Sequence, residues 1–166
     1  MIGNDVVDIL QARKESNWQR KGFIKKLFTT SEQILINTHS NPELMVWLFW
    51  SMKEAAYKIY NRQIGIRAFI PHKLECSLTK EGHITTGAVL LDNHTYFTRT
   101  TVSLYSIKTI ATVIEANLDN IVETDTEEVL KDTLGLPYLV KHGARFPVSI
   151  SHHGRLKQAV MLKFPI

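Results

Sequence analysis

Apolar and polar positions along this chain fall into three successive patterns. The stretch "IGNDVVDI" (2–9) pairs β-branched residues with two aspartates and predicts a short, buried strand. A basic helix is expected over 10–26. "FTTSEQILI" predicts a further helix start, with Thr29, Thr30 or Ser31 as N-cap and Glu32 in the first turn, where the helix dipole favours a carboxylate. "NTHSNPEL" breaks the chain, and Pro42 suits the first turn of a helix over 42–60 that is apolar almost all round at its start. From 73 to 115 the chain turns to Thr, Val, Ile and aromatics, punctuated by "KEGH" and "LDNH". That pattern predicts an antiparallel meander, with a turn near 104–108. "TDTEEVLKDTLG" predicts a helix capped by Thr124, Asp125 or Thr126 and ended by Gly135. "LPYLV", "FPVSISHHG" and a last strand "QAVMLKF" follow, giving one α+β domain over 1–166.

Composition narrows the setting. A chain of 166 residues, 44% of them hydrophobic, suits one domain with a real core. Cys76 is the only cysteine, which excludes an intrachain disulfide or a cysteine-based metal cluster. The start carries two aspartates and does not resemble a signal peptide, and the apolar run "LMVWLFW" is too short for a membrane span. A cytoplasmic protein is expected. The net charge of +4 favours anionic partners, and Arg13, Lys14, Arg20, Lys21, Lys25 and Lys26 concentrate it near the start. Composition alone favours reading those residues as a solvated helix face. No stacking-aromatic and basic motif of the known nucleic-acid modules is present.

Three places carry candidate chemistry. In "WSMKEAAYK" (50–58), Glu54 and Lys58 are four apart and share a helix face with Trp47 and Trp50. An intrahelical pair worth about 0.3–0.5 kcal/mol would explain the spacing. The apolar turns before it instead place both charges deep in the fold, where a metal bound to a phosphorylated ligand would satisfy them together. Asp8 suits a helix cap, but Asp5 lies where core is expected; convergence with Glu54 would make a two-carboxylate site for Mg²⁺. "VSISHHG" ends a strand in Ser151, His152 and His153. It lacks the G-x-S-x-G of a nucleophile elbow, and its histidines lack metal-spaced partners. Adjacent histidines on a strand face opposite sides.

In order, "GNDVVDI", "FTTSE", "WSMKEAAYK", "GLPYL" and "SISHHG" resemble the motifs of the 4′-phosphopantetheinyl transferase superfamily, nearest the holo-acyl-carrier-protein synthase type. The matches span Gly3 to Gly154. The middle is longer than in the short synthases, and "TVSLYSIKTIATVIE" looks like the closing strands of the larger, surfactin-type enzymes.

The resemblance implies an antiparallel sheet packed against a long central helix. It implies transfer of the phosphopantetheine arm of coenzyme A to a carrier-protein serine, with release of 3′,5′-ADP. Asp5 and Glu54 would hold Mg²⁺ at the pyrophosphate, and Lys58 would offset charge there. Ser151 and His152 would face the coenzyme's phosphates, and Gly135 to Pro137 the adenine. Lys53 is implied as a coenzyme contact or a structural residue, and Glu32 as the base for the carrier serine or a structural residue. An acidic acyl or peptidyl carrier protein would dock on the basic helix through residues such as Arg13, Lys14, Arg20 and Lys21. The short synthases suggest a trimer, whereas the added strands could complete the site within one chain. The chain departs from the family at Leu136, where Lys is common, and at Val7, where the surfactin type carries a second acid. A second reading is an inactive relative that binds an acidic carrier or nucleic acid.

Overall fold

Strand β1 (Ile2–Asp8) is buried along its whole length and is the joint on which the rest of the chain is built. The computed structural model describes residues 1–65 and 68–163. After β1 come helices α1 (Ile9–Glu15), α2 (Phe23–Leu27), α3 (Thr30–Thr38) and α4 (Pro42–Ile64). A 3₁₀ turn (Pro71–Lys73) leads to strands β2 (Glu75–Lys80), β3 (Ile84–Leu91), β4 (His94–Val102) and β5 (Ser106–Thr112). A second 3₁₀ turn (Glu115–Asn120) precedes β6 (Ile121–Thr124), β7 (Leu130–Lys131), β8 (Pro137–Lys141), β9 (Ala144–His153) and β10 (Leu156–Leu162).

The expected antiparallel sheet is present twice, as five-stranded sheets ordered β1-β5-β4-β3-β2 and β6-β10-β9-β8-β7. Helix α4 starts at the Asn41 cap with Pro42 in its first turn and lays Met45, Leu48, Phe49, Met52, Ala55, Ala56 and Ile59 into the main core. It meets β1 closely: a Cβ on Gly3 would sit 2.0 Å from the Ala55 carbonyl oxygen. Only a residue without a side chain permits that approach. The second sheet has its own smaller core of Leu139, Val148, Ala159, Val160 and Met161, into which β1 sends Ile2.

Two expected elements differ. The basic segment is not one helix: α1 ends where Ser16 turns extended, and α2 begins after Gly22. Between them the Asn17 side chain accepts from the Gln19 amide, the local bonding by which Asn competes with helix. Of the expected helix 124–135, Thr124 ends β6 and the rest forms turns and the short β7. Asp125 Oδ1 accepts from the Glu127 amide, and Asp132 Oδ1 from those of Leu134 and Leu136. Glu127 and Glu128, in a turn, pair with Lys157 on β10 and Lys141 on β8. Asp125, one of the candidate caps, holds a turn instead, and Gly135, the expected helix end, closes another by donating to the Asp132 carbonyl.

Candidate active site between strand β1, helix α4 and strand β9

Strand β1 is hydrogen-bonded to β5 along one edge, and its other edge meets side chains of β9. The amide of Asn4 donates to Ser149 Oγ (2.9 Å), that of Val6 to Ser151 Oγ (3.3 Å) and that of Asp8 to His153 Nδ1 (3.0 Å). Period-two alternation makes this possible: 149, 151 and 153 share a face of β9, as the amides of 4, 6 and 8 share an edge of β1. From α4, Lys58 Nζ donates to the carbonyls of Asn4 (2.6 Å) and Ile150 (3.1 Å), and Arg62 to that of Val148 (2.8 Å). The two sheets are thus joined by side chains, with β9 fixed beside the β1 carboxylate. His153 accepts through Nδ1, so in the neutral ring its proton is on Nε2, 3.1 Å from Glu15 Oε2.

Asp5 alternates with Asn4 and Val6 and so points toward α4. Its Oδ1 accepts from Ser151 Oγ at 3.0 Å, while Oδ2 is buried with no partner among the described residues. Burial raises the Asp5 pKa, opposed by Lys58 and the Ser151 hydroxyl, and by Ser51 from outside hydrogen-bond geometry. Glu54 is pushed up to about 7 by burial and then by the Asp5 charge, with Lys58 opposing. Burial lowers Lys58, and the two carboxylates oppose that shift. Two carboxylates and one ammonium therefore share a poorly solvated region that is short of positive charge.

That shortage tests whether a metal fits. Among the described residues no group of three or more His, Cys, Asp or Glu side chains could hold an ion, so the protein offers Asp5 and Glu54. Mg²⁺ is commonly held by one or two carboxylates, with water and phosphate oxygens completing its octahedron. The unpartnered Asp5 Oδ2 and the elevated Glu54 suit such a dication.

The carboxylates open on a cavity of about 480 Å³ walled by Trp47, Trp50, Phe23, His152 and His153. A larger cavity of about 630 Å³ lies elsewhere, lined by Arg62, Leu136, Pro137, Tyr138 and Arg145, with Arg145 stacked on Tyr138. Glu54, Lys58 and Arg62 recur every fourth residue along one face of α4. Glu54 faces the first cavity and Arg62 the second, and Lys58 is bonded into the seam.

The expected site residues therefore divide. Asp5, Glu54, Lys58, Ser151 and His152 come together around the seam, while Leu136 and Pro137 line the larger cavity. Of its two expected roles Lys53 takes the structural one, and the coenzyme contact is corrected: it is fully buried, and its ammonium donates to Glu32 Oε2 (2.6 Å) and to the carbonyls of Leu27 (3.0 Å) and Pro71 (2.8 Å), which leaves no proton for a coenzyme. Glu32 likewise takes the structural one of its two expected roles: its carboxylate also accepts from the amides of Thr29 and Cys76, and solvent does not reach it, so it is not the base for an external serine. Glu54 and Lys58 form no direct ion pair. Asp8 caps α1 through the amides of Leu10 and Gln11 and is held well below the usual carboxylate range by the Arg155 guanidinium. Of the basic residues, Arg13 is forked onto Glu43 and Arg20 lies over the Phe23 ring, while Lys14, Lys21, Lys25 and Lys26 have no ion-pair partner among the described residues. The sequence suggested no role for Ser149, His153 or Arg62. The alternation of Ser149, Ser151 and His153 held the signal for two of them.

A family model described as the 4′-phosphopantetheinyl transferase superfamily matches residues 1–113. No curated protein matches the chain. Among solved structures, the holo-[acyl-carrier-protein] synthase of Helicobacter pylori in complex with coenzyme A is similar at 18% identity and a TM-score of 0.53, covering 69% of this chain and 100% of its own. The holo-[acyl-carrier-protein] synthase of Neisseria meningitidis is similar at 12% identity and a TM-score of 0.51, covering 66% of this chain and 94% of its own.

Proposed function

Since the chain belongs to the 4′-phosphopantetheinyl transferase superfamily, we propose that it moves the phosphopantetheine arm of coenzyme A onto a serine of an apo acyl or peptidyl carrier protein, releasing 3′,5′-ADP. One observation carries the reading: Asp5 and Glu54 face one cavity with an unpartnered buried oxygen and too little positive charge around them. Asp5 and Glu54 would hold Mg²⁺, which supplies charge neutralisation at the pyrophosphate. Little covalent chemistry is left to the protein, so its residues position and compensate.

Ser151 holds Asp5 in place through its hydroxyl. Lys58 sits one turn from Glu54 and would exchange its carbonyl partners for a phosphate oxygen when the coenzyme enters. The exposed His152 borders the same cavity and would meet a phosphate there. Leu136 and Pro137 would border the adenine in the larger cavity, where Arg62 and Arg145 supply the cations that Leu136 does not. The nucleophile belongs to the carrier, which accounts for a site without one. Both sheets contribute walls, so a single copy of the 1–166 chain would hold the whole site. The unpaired Lys14 and Lys21, with Arg20, would meet an acidic carrier near the mouth lined by Ser16 and Arg20.

The test is incubation with coenzyme A, Mg²⁺ and apo carrier proteins, read by mass spectrometry. A gain of one phosphopantetheine arm is expected, and its absence on every carrier with metal present would count against the reading.

A further inference from the structure

A fully buried ion pair of the main core lies outside the cavity. Lys53 and Glu32 meet at 2.6 Å with both side chains fully excluded from solvent. All three Lys53 ammonium protons are donated, and the Glu32 carboxylate accepts three bonds. Lys53 reaches the end of α2 (Leu27), the N-terminus of α3 (Glu32) and the 3₁₀ turn (Pro71); Glu32 reaches its own cap at Thr29 and strand β2 at Cys76. The Phe28 ring lies 5.1 Å from the ammonium.

Stability alone is a poor account of such a pair. Desolvating two charges costs about as much as their attraction returns, and well-packed apolar residues often do as well. What apolar packing does not supply is direction. Helix α4 buries an almost continuous apolar surface, and apolar surfaces tolerate sliding and rotation better than a hydrogen-bonded anchor does. The anchor sits one residue before Glu54. A rotation of α4 by one residue would turn Glu54 through about 100° and away from Asp5. The anchor also holds Leu27, a wall residue of the same cavity, through its carbonyl. On the opposite side of α4, the Gly3–Ala55 approach sets the distance to β1. A close approach fixes separation, and the ion pair fixes axial and rotational register.

We infer that the buried Glu32–Lys53 pair is a positioning device that sets the register of α4 so that Glu54 faces Asp5 across the cavity. The inference rests on the reading of Asp5 and Glu54 as the metal-binding carboxylates. Neither residue touches substrate or metal; both act through the placement of Glu54.

The test compares the intact protein with E32Q, K53M and the double variant E32Q/K53M. Single variants strand a buried partner and can fail to fold, so the double variant, which removes both charges, carries the decision. Mg²⁺ binding is measured by calorimetry with coenzyme A present, alongside near-UV circular dichroism, the thermal midpoint and the kcat for arm transfer. The expected result is a double variant with native near-UV signal, a Mg²⁺ affinity reduced about tenfold and a reduced kcat, with the KM for coenzyme A changed little. A double variant that loses thermal stability but binds Mg²⁺ like the wild type overturns the inference, because the pair is then only a stabilising contact. If the wild type itself takes up no Mg²⁺ and D5N changes nothing, the metal reading fails and the positioning claim falls with it, a result distinct from a wild-type affinity retained by the double variant.

Discussion

Ser151 Oγ donates to Asp5 Oδ1 at 3.0 Å and accepts the amide of Val6 at 3.3 Å, so one hydroxyl both closes the seam between the sheets and orients the buried carboxylate. Removing it should affect stability and site together. Ser151→Ala is expected to cost about 1–3 kcal/mol, because the Val6 amide and Asp5 Oδ1 both lose a partner in a buried place. Urea unfolding measures this. In an Asp5→Asn background the loss should be smaller, and a fully additive double-mutant cycle would show that the two residues do not act on each other.

The raised Glu54 carboxyl predicts a pH dependence with a definite sign in metal-free protein. Its ordinary value is 4.5 and its folded value about 7. Between these, the unfolded chain has released the proton and the folded chain has kept it, so the folded state binds more protons and stability falls as pH rises. Asp5, also raised, adds in the same direction. The loss from Glu54 alone is on the order of 3 kcal/mol and levels off above pH 7. Chelator-treated wild type and Glu54→Gln should therefore diverge across this window in thermal or urea titrations, the variant showing the flatter profile.

Gly3 is a packing requirement rather than a chemical one. Gly3→Ala places a methyl group 2.0 Å from the Ala55 carbonyl oxygen, so α4 and β1 must separate. A loss of about 1–3 kcal/mol is expected in denaturant unfolding, together with weakened metal uptake as Glu54 moves away from Asp5.

The basic segment should act on encounter with the carrier rather than on chemistry. Reversing Lys14 and Lys21 to Glu is expected to raise the KM for an acidic carrier about tenfold, with the KM for coenzyme A unchanged. The wild-type value should rise with salt and the variant's should change less. Arg13 is the control, since it is already forked onto Glu43.

The candidate site drew notice in the sequence through the unease of single residues. Asp5 sat where core was expected, and Glu54 and Lys58 sat in an apolar helix; both conflicts resolve around one seam. The α4 start at Pro42 followed from local chemistry and stands as expected, and of the three candidate α3 caps Thr29 is the one used. Lys53 was not legible, because nothing local says that its partner lies 21 residues away. The segment 125–135 misled because Asp and Thr favour helix caps and turns alike, and here Asp125 and Asp132 accept from following amides and hold turns. The basic segment misled because Ser16 and Gly22 weigh little beside a run of good helix formers.

The most direct test is a crystal grown with coenzyme A and Mn²⁺ in place of Mg²⁺, read by anomalous diffraction. The account predicts one metal peak within bonding distance of both Asp5 and Glu54, with Lys58 moved from the Asn4 and Ile150 carbonyls onto a phosphate oxygen. A bound coenzyme whose metal lies away from these two carboxylates, with Lys58 still on its two carbonyls, would contradict it.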